Sequence, residues 1–324
     1  MNFLIRIAFI TLLIFNSQSC IIKLFPDNMG KSPVLNERIL QGTGKDKILV
    51  ISIEGMISDE RKENLFGIQK DSMISVINEQ LKMAYKDSDI KGVILKINSP
   101  GGTVTASDII YKEISNFKKL KNIPVHSLFM DVAASGAYYI AMASDSITSH
   151  PTCVTGSIGV VMQSLNFSEV MTKIGIKNQT VASGKNKTIG SPLEPQSKEH
   201  AEIMQAIIDD LYNRFFSIVA SGRPAISREN LKKLADGRIY TANQAKANGL
   251  VDNIGYFQEA VNFLKNDAKY KKGIDGENPR IIHYTYSNDT NANIYNMKKP
   301  DFDFQFALPN RLSGFLYLWN PDAF

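Results

Sequence analysis

Three short stretches hold groups able to do nucleophilic chemistry. The first is Asp131-Val132-Ala133-Ala134-Ser135-Gly136-Ala137-Tyr138-Tyr139-Ile140-Ala141. An apolar run, Val125 to Met130, leads into it, and small residues, Ala137 to Ala143, lead out. That pattern predicts a strand, a turn at Ser135 and a helix. A helix start offers unpaired N–H groups and the positive end of the helix dipole. A hydroxyl at such a turn, followed by Gly136, suits a nucleophile whose tetrahedral oxyanion needs donors. Taken alone, the same small residues also suit close helix–sheet packing.

The second stretch is Asn98-Ser99-Pro100-Gly101-Gly102, which follows the apolar run Gly92 to Ile97 and precedes a helical pattern. It therefore falls at the same sheet edge as Ser135, where α/β sheets place their sites. Gly101 and Gly102 can turn backbone N–H groups into a pocket, opposite the one from Gly136. A plain Pro-Gly turn is the alternative. No Gly-Lys-Ser/Thr follows, so a phosphate loop is excluded. The third is Gly184-Lys185-Asn186-Lys187-Thr188-Ile189-Gly190-Ser191-Pro192. Loop lysines are ordinarily solvated cations. As a general base a lysine must be neutral, which requires burial. The apolar exit after Lys187 suits an inward side chain, whereas Lys185 between Gly184 and Asn186 reads as solvent-facing.

The elements that must position these groups alternate. Ile48 to Ile53 is a strand buried on both faces, Ser72 to Tyr85 a helix, Gly92 to Ile97 a strand and Thr105 to Phe117 a helix. Val125 to Met130 and Ala137 to Ala143 repeat the order, giving an α/β fold with a mostly parallel sheet and flanking helices. Further on, Thr155 to Val161 is a turn entering a strand, Phe167 to Ile174 a helix and Ile176 to Ser183 a strand. Lys198 to Ala220 is a long helix whose apolar stripe is wide enough to serve a subunit interface as well as the core.

Composition sets limits. The chain has 324 residues, 44% of them hydrophobic and 21% charged, with a net charge of +5. That is ordinary globular composition, and the Lys118, Lys119, Lys121 cluster is a solvated helix end, so no nucleic-acid partner is expected. Two cysteines, Cys20 and Cys153, and four scattered histidines form no metal or cofactor motif. Arg6, the apolar run Ile7 to Phe15 and Asn16 to Cys20 have a signal-peptide layout too short to span a bilayer comfortably. Cys20 is positioned as a lipidation site, although Ser17 stands where an apolar residue is usual, and an uncleaved anchor is the alternative. Either places the folded part outside the cytoplasm beside a membrane. The divisions expected are a signal or anchor at 1–20, a tether at 21–46, a folded domain at 47–267 and an extension at 268–324. Within the extension, Phe315-Leu316-Tyr317-Leu318-Trp319 is an apolar patch suited to docking on the body, a neighbour or the membrane.

The three stretches, with Thr155-Gly156-Ser157-Ile158-Gly159-Val160 and the later Gly237 to Asp252 segment, resemble the signal peptide peptidase A family over about Lys47 to Phe263. Order and separation fit, with 52 residues between Ser135 and Lys187. The resemblance implies a Clp-protease/crotonase-like fold and a membrane-associated serine endopeptidase acting on signal-peptide remnants or other membrane-proximal peptides. It implies Ser135 as nucleophile, Lys187 as base, Ser157 orienting the lysine, and Gly101, Gly102 and Gly136 forming the oxyanion hole. It also implies ring-like homo-oligomers, with the Ser–Lys pair met in one chain or shared across a subunit boundary. One departure is Ala137, where the family has a second glycine; its methyl would narrow the pocket if it faced it. A crotonase-type acyl-CoA enzyme and a catalytically inactive scaffold on the same fold are the alternatives. The export signal and the Ser135/Lys187 pair count against the first, and intact Ser135, Ser157 and Lys187 against the second.

Overall fold

The computed structural model describes residues 34–63, 69–273, 278–286, 293–295 and 315–319. The signal or anchor segment and Cys20 lie outside the described residues. The chain divides into two units, Met1–Val34 and Leu35–Phe324.

The frame of the second unit is a sheet of nine strands, mostly parallel. β1 (Asn36–Gln41) and β2 (Lys47–Glu54) open the fold, followed by a small antiparallel pair, β3 (Lys62–Glu63) and β4 (Gln69–Lys70). Then come α1 (Met73–Lys86), β5 (Ile90–Ser99), β6 (Gly101–Thr103), α2 (Val104–Lys121), β7 (Val125–Ala134) and α3 (Gly136–Ala141). β8 (Ser146–Ser149) and β9 (Val154–Gly156) complete this half. The remainder holds α4 (Ser168–Lys173), α5 (Lys198–Gly222), α6 (Arg228–Leu234), β10 (Ile239–Thr241), α7 (Ala242–Ala247) and β11 (Asn253–Ile254). It ends with α8 (Phe257–Lys265), β12 (Arg280–Thr285) and β13 (Leu316–Leu318).

The sheet order is β1-β12-β2-β5-β7-β8-β11, with β9 paired to β7 and β10 to β9. Only β1 on β12 and β10 on β9 run antiparallel within it. β2 is apolar at every inner position except Ser52 because both its faces are covered. Leu49, Ile51 and Ile53 join the core under α1 to α3, while Ile48 and Val50 pack with Phe257, Val261 and Leu264 of α8. Helix starts are set by side chains: Ser72 accepts from Ser75 N at α1, and Thr103 accepts from Ala106 N at α2. Asn122, left-handed at φ 53°, closes α2.

Three expectations change. Residues 36–41, read as tether, form β1, because Arg280–Thr285 supplies a strand for it to pair with. That partner strand lies in the supposed extension, which also contributes Phe315–Trp319 to the body. The strand expected over Ile176 to Ser183 is absent: among the described residues this segment has no neighbouring strand, and an unladdered strand leaves its backbone groups unpaired. Among the described residues no helix is long and apolar enough to cross a membrane.

Candidate active site

Ser135 follows β7 and caps α3 with φ 54° and ψ −116°, a conformation that costs a side-chain-bearing residue on the order of 1–3 kcal/mol. The surroundings hold it there. Its N–H donates to Gly156 O at 2.8 Å, and its carbonyl accepts from Tyr139 N at 2.9 Å. The residue is only 1% exposed. Its hydroxyl makes no capping bond to the helix it starts, so the strained turn holds the side chain away from the ordinary N-cap role.

Ser157 sits beside it. β7 and β9 run parallel with Ala134 opposite Gly156, so the next residue of each strand is a serine. Both have positive φ, 54° at Ser135 and 49° at Ser157. Ser157 is buried, and its N–H donates to Arg238 O at 2.7 Å. Gly156, at φ 91°, lies against the Tyr240 ring and could not carry a side chain.

The glycine loop meets Ser135 from the other side. Gly101 has φ 106°, and a Cβ on it would come within 2.8 Å of Gly136 N. Gly102 is wedged against Ile57: Ile57 N donates to Gly101 O at 2.8 Å and Thr103 N to Ile57 O at 2.9 Å. Gly101 N–H is already committed to Ser99 Oγ at 3.1 Å. A Cβ on Gly136 would strike Ser107 Oγ, with Gly102 N at 3.3 Å. The sequence brings these backbones together by removing three side chains. Ala137, in place of a second glycine, is fully buried in the main core; its methyl serves packing.

Lys187 is placed elsewhere. It is exposed, in a turn closed by its N–H donating to Gly184 O at 3.0 Å. Among the described residues its ammonium makes no hydrogen bond or ion pair, with Ser135 or with any other. The expected inward lysine is thus solvent-facing here, because no described residue covers it enough to desolvate it. Lys185 faces solvent as expected and pairs with Glu199 at 2.9 Å. Residues 161–214 include no buried residue at all, although Leu165, Phe167, Val170, Ile174, Ile176 and Val181 are exposed.

Cys153 is buried, and burial pushes its thiol up to about 12, so it is inert as a nucleophile. Among the described residues no grouping of His, Cys, Asp and Glu could hold a metal. Sequence reading missed Ser99 and Ser107, which act through the glycine backbones and carry no motif of their own. It also left Phe315–Trp319 undecided; the structure docks that segment on the body, with β13 antiparallel to β6.

Residues 117–271 match peptidase family S49. A protein of Enterococcus faecium named signal peptide peptidase SppA is 40% identical over 240 residues, covering 74% of this chain and 69% of that one. The chain belongs to the signal peptide peptidase A family of serine peptidases. Longer relatives agree: Protease 4 of Haemophilus influenzae is 36% identical over 70% of this chain and 36% of its own length. A chloroplastic serine protease SPPA of Arabidopsis thaliana is 31% identical over 69% of this chain and 33% of its own. The chain thus spans about a third of those two relatives. The mostly parallel sheet with flanking helices is the Clp-protease/crotonase-like fold of this family.

Proposed function

We propose that this family member is a membrane-tethered serine endopeptidase whose active site is completed between two copies of the chain. Ser135 is the nucleophile and the partner subunit's Lys187 is its base. The observation that carries the reading is the contrast between the two residues. Ser135 is held strained and buried beside Gly102 and Gly136, whereas Lys187 rides on a 161–214 arm in which no residue is fully buried. An arm with so much exposed apolar surface needs a second copy to cover it. The desolvation a neutral lysine requires is available only when the arm is covered.

In the proposed reaction the neutral amine takes the proton from Ser135 Oγ, which attacks the peptide carbonyl carbon. The oxyanion accepts from the Gly102 and Gly136 N–H groups; Gly101, bound to Ser99, holds the loop in shape. The lysine returns the proton to the departing amide nitrogen, and water then hydrolyses the seryl ester. Ser157, next to Ser135, orients the amine. The segment 1–20, lipidated at Cys20 or kept as an anchor, holds the site on the extracytoplasmic side of a membrane, where signal-peptide remnants and other membrane-proximal peptides are the substrates.

The test is peptide cleavage and fluorophosphonate labelling by the full chain in detergent. Ser135→Ala and Lys187→Ala should each lower cleavage about 10³-fold or more with unchanged circular dichroism. Near-normal cleavage by Lys187→Ala would remove the base assignment. Retention of Cys20→Ser in the membrane fraction would favour the anchor over lipidation.

A further inference from the structure

We infer that Asp236 is a positioning residue of the peptidase reaction: by clamping Arg238 it fixes the backbone carbonyl that holds Ser157. The inference rests on the reading of Ser135 as nucleophile and of Ser157 as the group that orients its base.

Ser157 needs a support from outside its own strand. It stands at φ 49°, where a residue with a side chain stays only if its neighbours hold it. β9 pairs antiparallel with β10, and the last partners of that ladder are Gly156 and Ile239. The bond from Ser157 N to Arg238 O, 2.7 Å long, lies one residue beyond. Its acceptor follows Gly237, which has φ 92° and nothing within 4 Å of where a Cβ would stand. A glycine with that freedom does not fix the residue after it.

The clamp is Asp236. Its Oδ1 accepts from Arg238 N at 3.2 Å and from Arg238 Nε at 2.7 Å, and its Oδ2 accepts from a terminal guanidinium nitrogen at 2.5 Å. One carboxylate thus grips Arg238 by its backbone and, two-pronged, by its side chain. The root of the turn is tied separately, with the Tyr240 hydroxyl donating to Leu234 O at 2.8 Å and the Tyr212 hydroxyl to Ala235 O at 2.7 Å. Arg238 and Asp236 are 59% and 45% exposed, and an ion pair so solvated adds little to the stability of the fold. Its effect is on geometry. Without the carboxylate Arg238 is free to turn about Gly237, its carbonyl leaves Ser157 N, and the Ser157 hydroxyl loses the direction that the base needs.

The test measures steady-state peptide cleavage by the full chain carrying Asp236→Ala or Asp236→Asn, each with Ser157 intact and with Ser157→Ala. Asp236→Ala should lower kcat about tenfold with KM unchanged, because the clamp acts on the base and not on the bound peptide. Asp236→Asn keeps an acceptor for the Arg238 backbone and should lose only about threefold. Ser157→Ala alone should keep about a hundredth of the activity, enough for comparison. In that background neither Asp236 change should lower kcat further, as expected of residues that act as one unit. An undiminished loss there, an effect confined to KM, or wild-type kcat in Asp236→Ala overturns the inference. Hydrogen exchange at the Ser157 amide, followed by mass spectrometry, reads the clamp without catalysis and should be about tenfold faster in Asp236→Ala. Faster exchange in a chain whose Ser135→Ala variant still cleaves would refute the peptidase reading and leave the clamp standing. Cleavage that depends on Ser135, with exchange unchanged in Asp236→Ala, would do the reverse.

Discussion

Ser135 adopts φ 54° and ψ −116° although it is not glycine, and such a conformation is stable only where neighbours over-determine it. Ser135→Gly should therefore raise stability by about 1 kcal/mol in urea unfolding while abolishing cleavage. An unchanged midpoint would mean the turn is relaxed. Gly136 offers a second test, because a Cβ there meets Ser107 Oγ. Gly136→Ala should cost about 1–3 kcal/mol by overpacking. Adding Ser107→Ala should return most of that stability but not the activity, since the methyl still crowds Gly102 N at 3.3 Å. Recovery of both would show that Gly136 serves packing only. At this scale the sequence is informative where chemistry needs a rare residue type in a fixed place, as at Ser135, Gly101 and Gly102. Ser107 was illegible because its role is to stand under a missing side chain, and only the packing reveals that.

Among the elements, the central strands owe part of their stability to buried polar groups. His126 on β7 is buried, with its ring nitrogens 2.6 Å from Ser146 Oγ and 2.8 Å from Thr148 Oγ1 on β8. Burial lowers it from 6.5 to about 4. Between those values the unfolded chain takes up a proton that the folded chain refuses, so stability is full above pH 6.5 and falls as pH drops toward 4. From pH 7 to pH 5 the loss should be about 2 kcal/mol, and His126→Gln should flatten that part of the curve. A curve of the same slope in the variant would assign the loss to other groups. Arg223, nearly buried, donates twice to Asp252 at 2.8 Å, and Asp252 also accepts from Ile147 N at 2.7 Å. Removing the carboxylate with Asp252→Ala should cost about 3–5 kcal/mol in denaturant unfolding. The alternating strands and helices from Lys47 to Ala143 were legible because burial on both faces writes an unmistakable apolar run. β1 and β12 were not, since β1 falls in a polar, Pro- and Gly-containing stretch and β12 in one of weak periodicity, and neither reveals the strand it pairs with. The absent strand over 176–183 shows the converse: β-forming residues make no strand where the chain provides no ladder.

For the whole molecule, the 161–214 arm is the part least explained by a single chain. α5 has 25 residues yet buries only Phe215, Phe216 and Val219 near its end. Its first half and α4 leave apolar side chains exposed, the surplus its periodicity implied. Val170→Asp on α4 should therefore reduce assembly in analytical ultracentrifugation without altering circular dichroism. The proposal that this arm carries Lys187 to a neighbour's Ser135 has one direct test. Ser135→Ala chains and Lys187→Ala chains, each inactive alone, are dissociated, mixed in equal amounts and allowed to reassemble. Sites drawing serine from one parent and lysine from the other should restore about a quarter of the wild-type cleavage rate. Mixed assemblies verified by mass that stay as inactive as their parents would contradict a site shared between two copies.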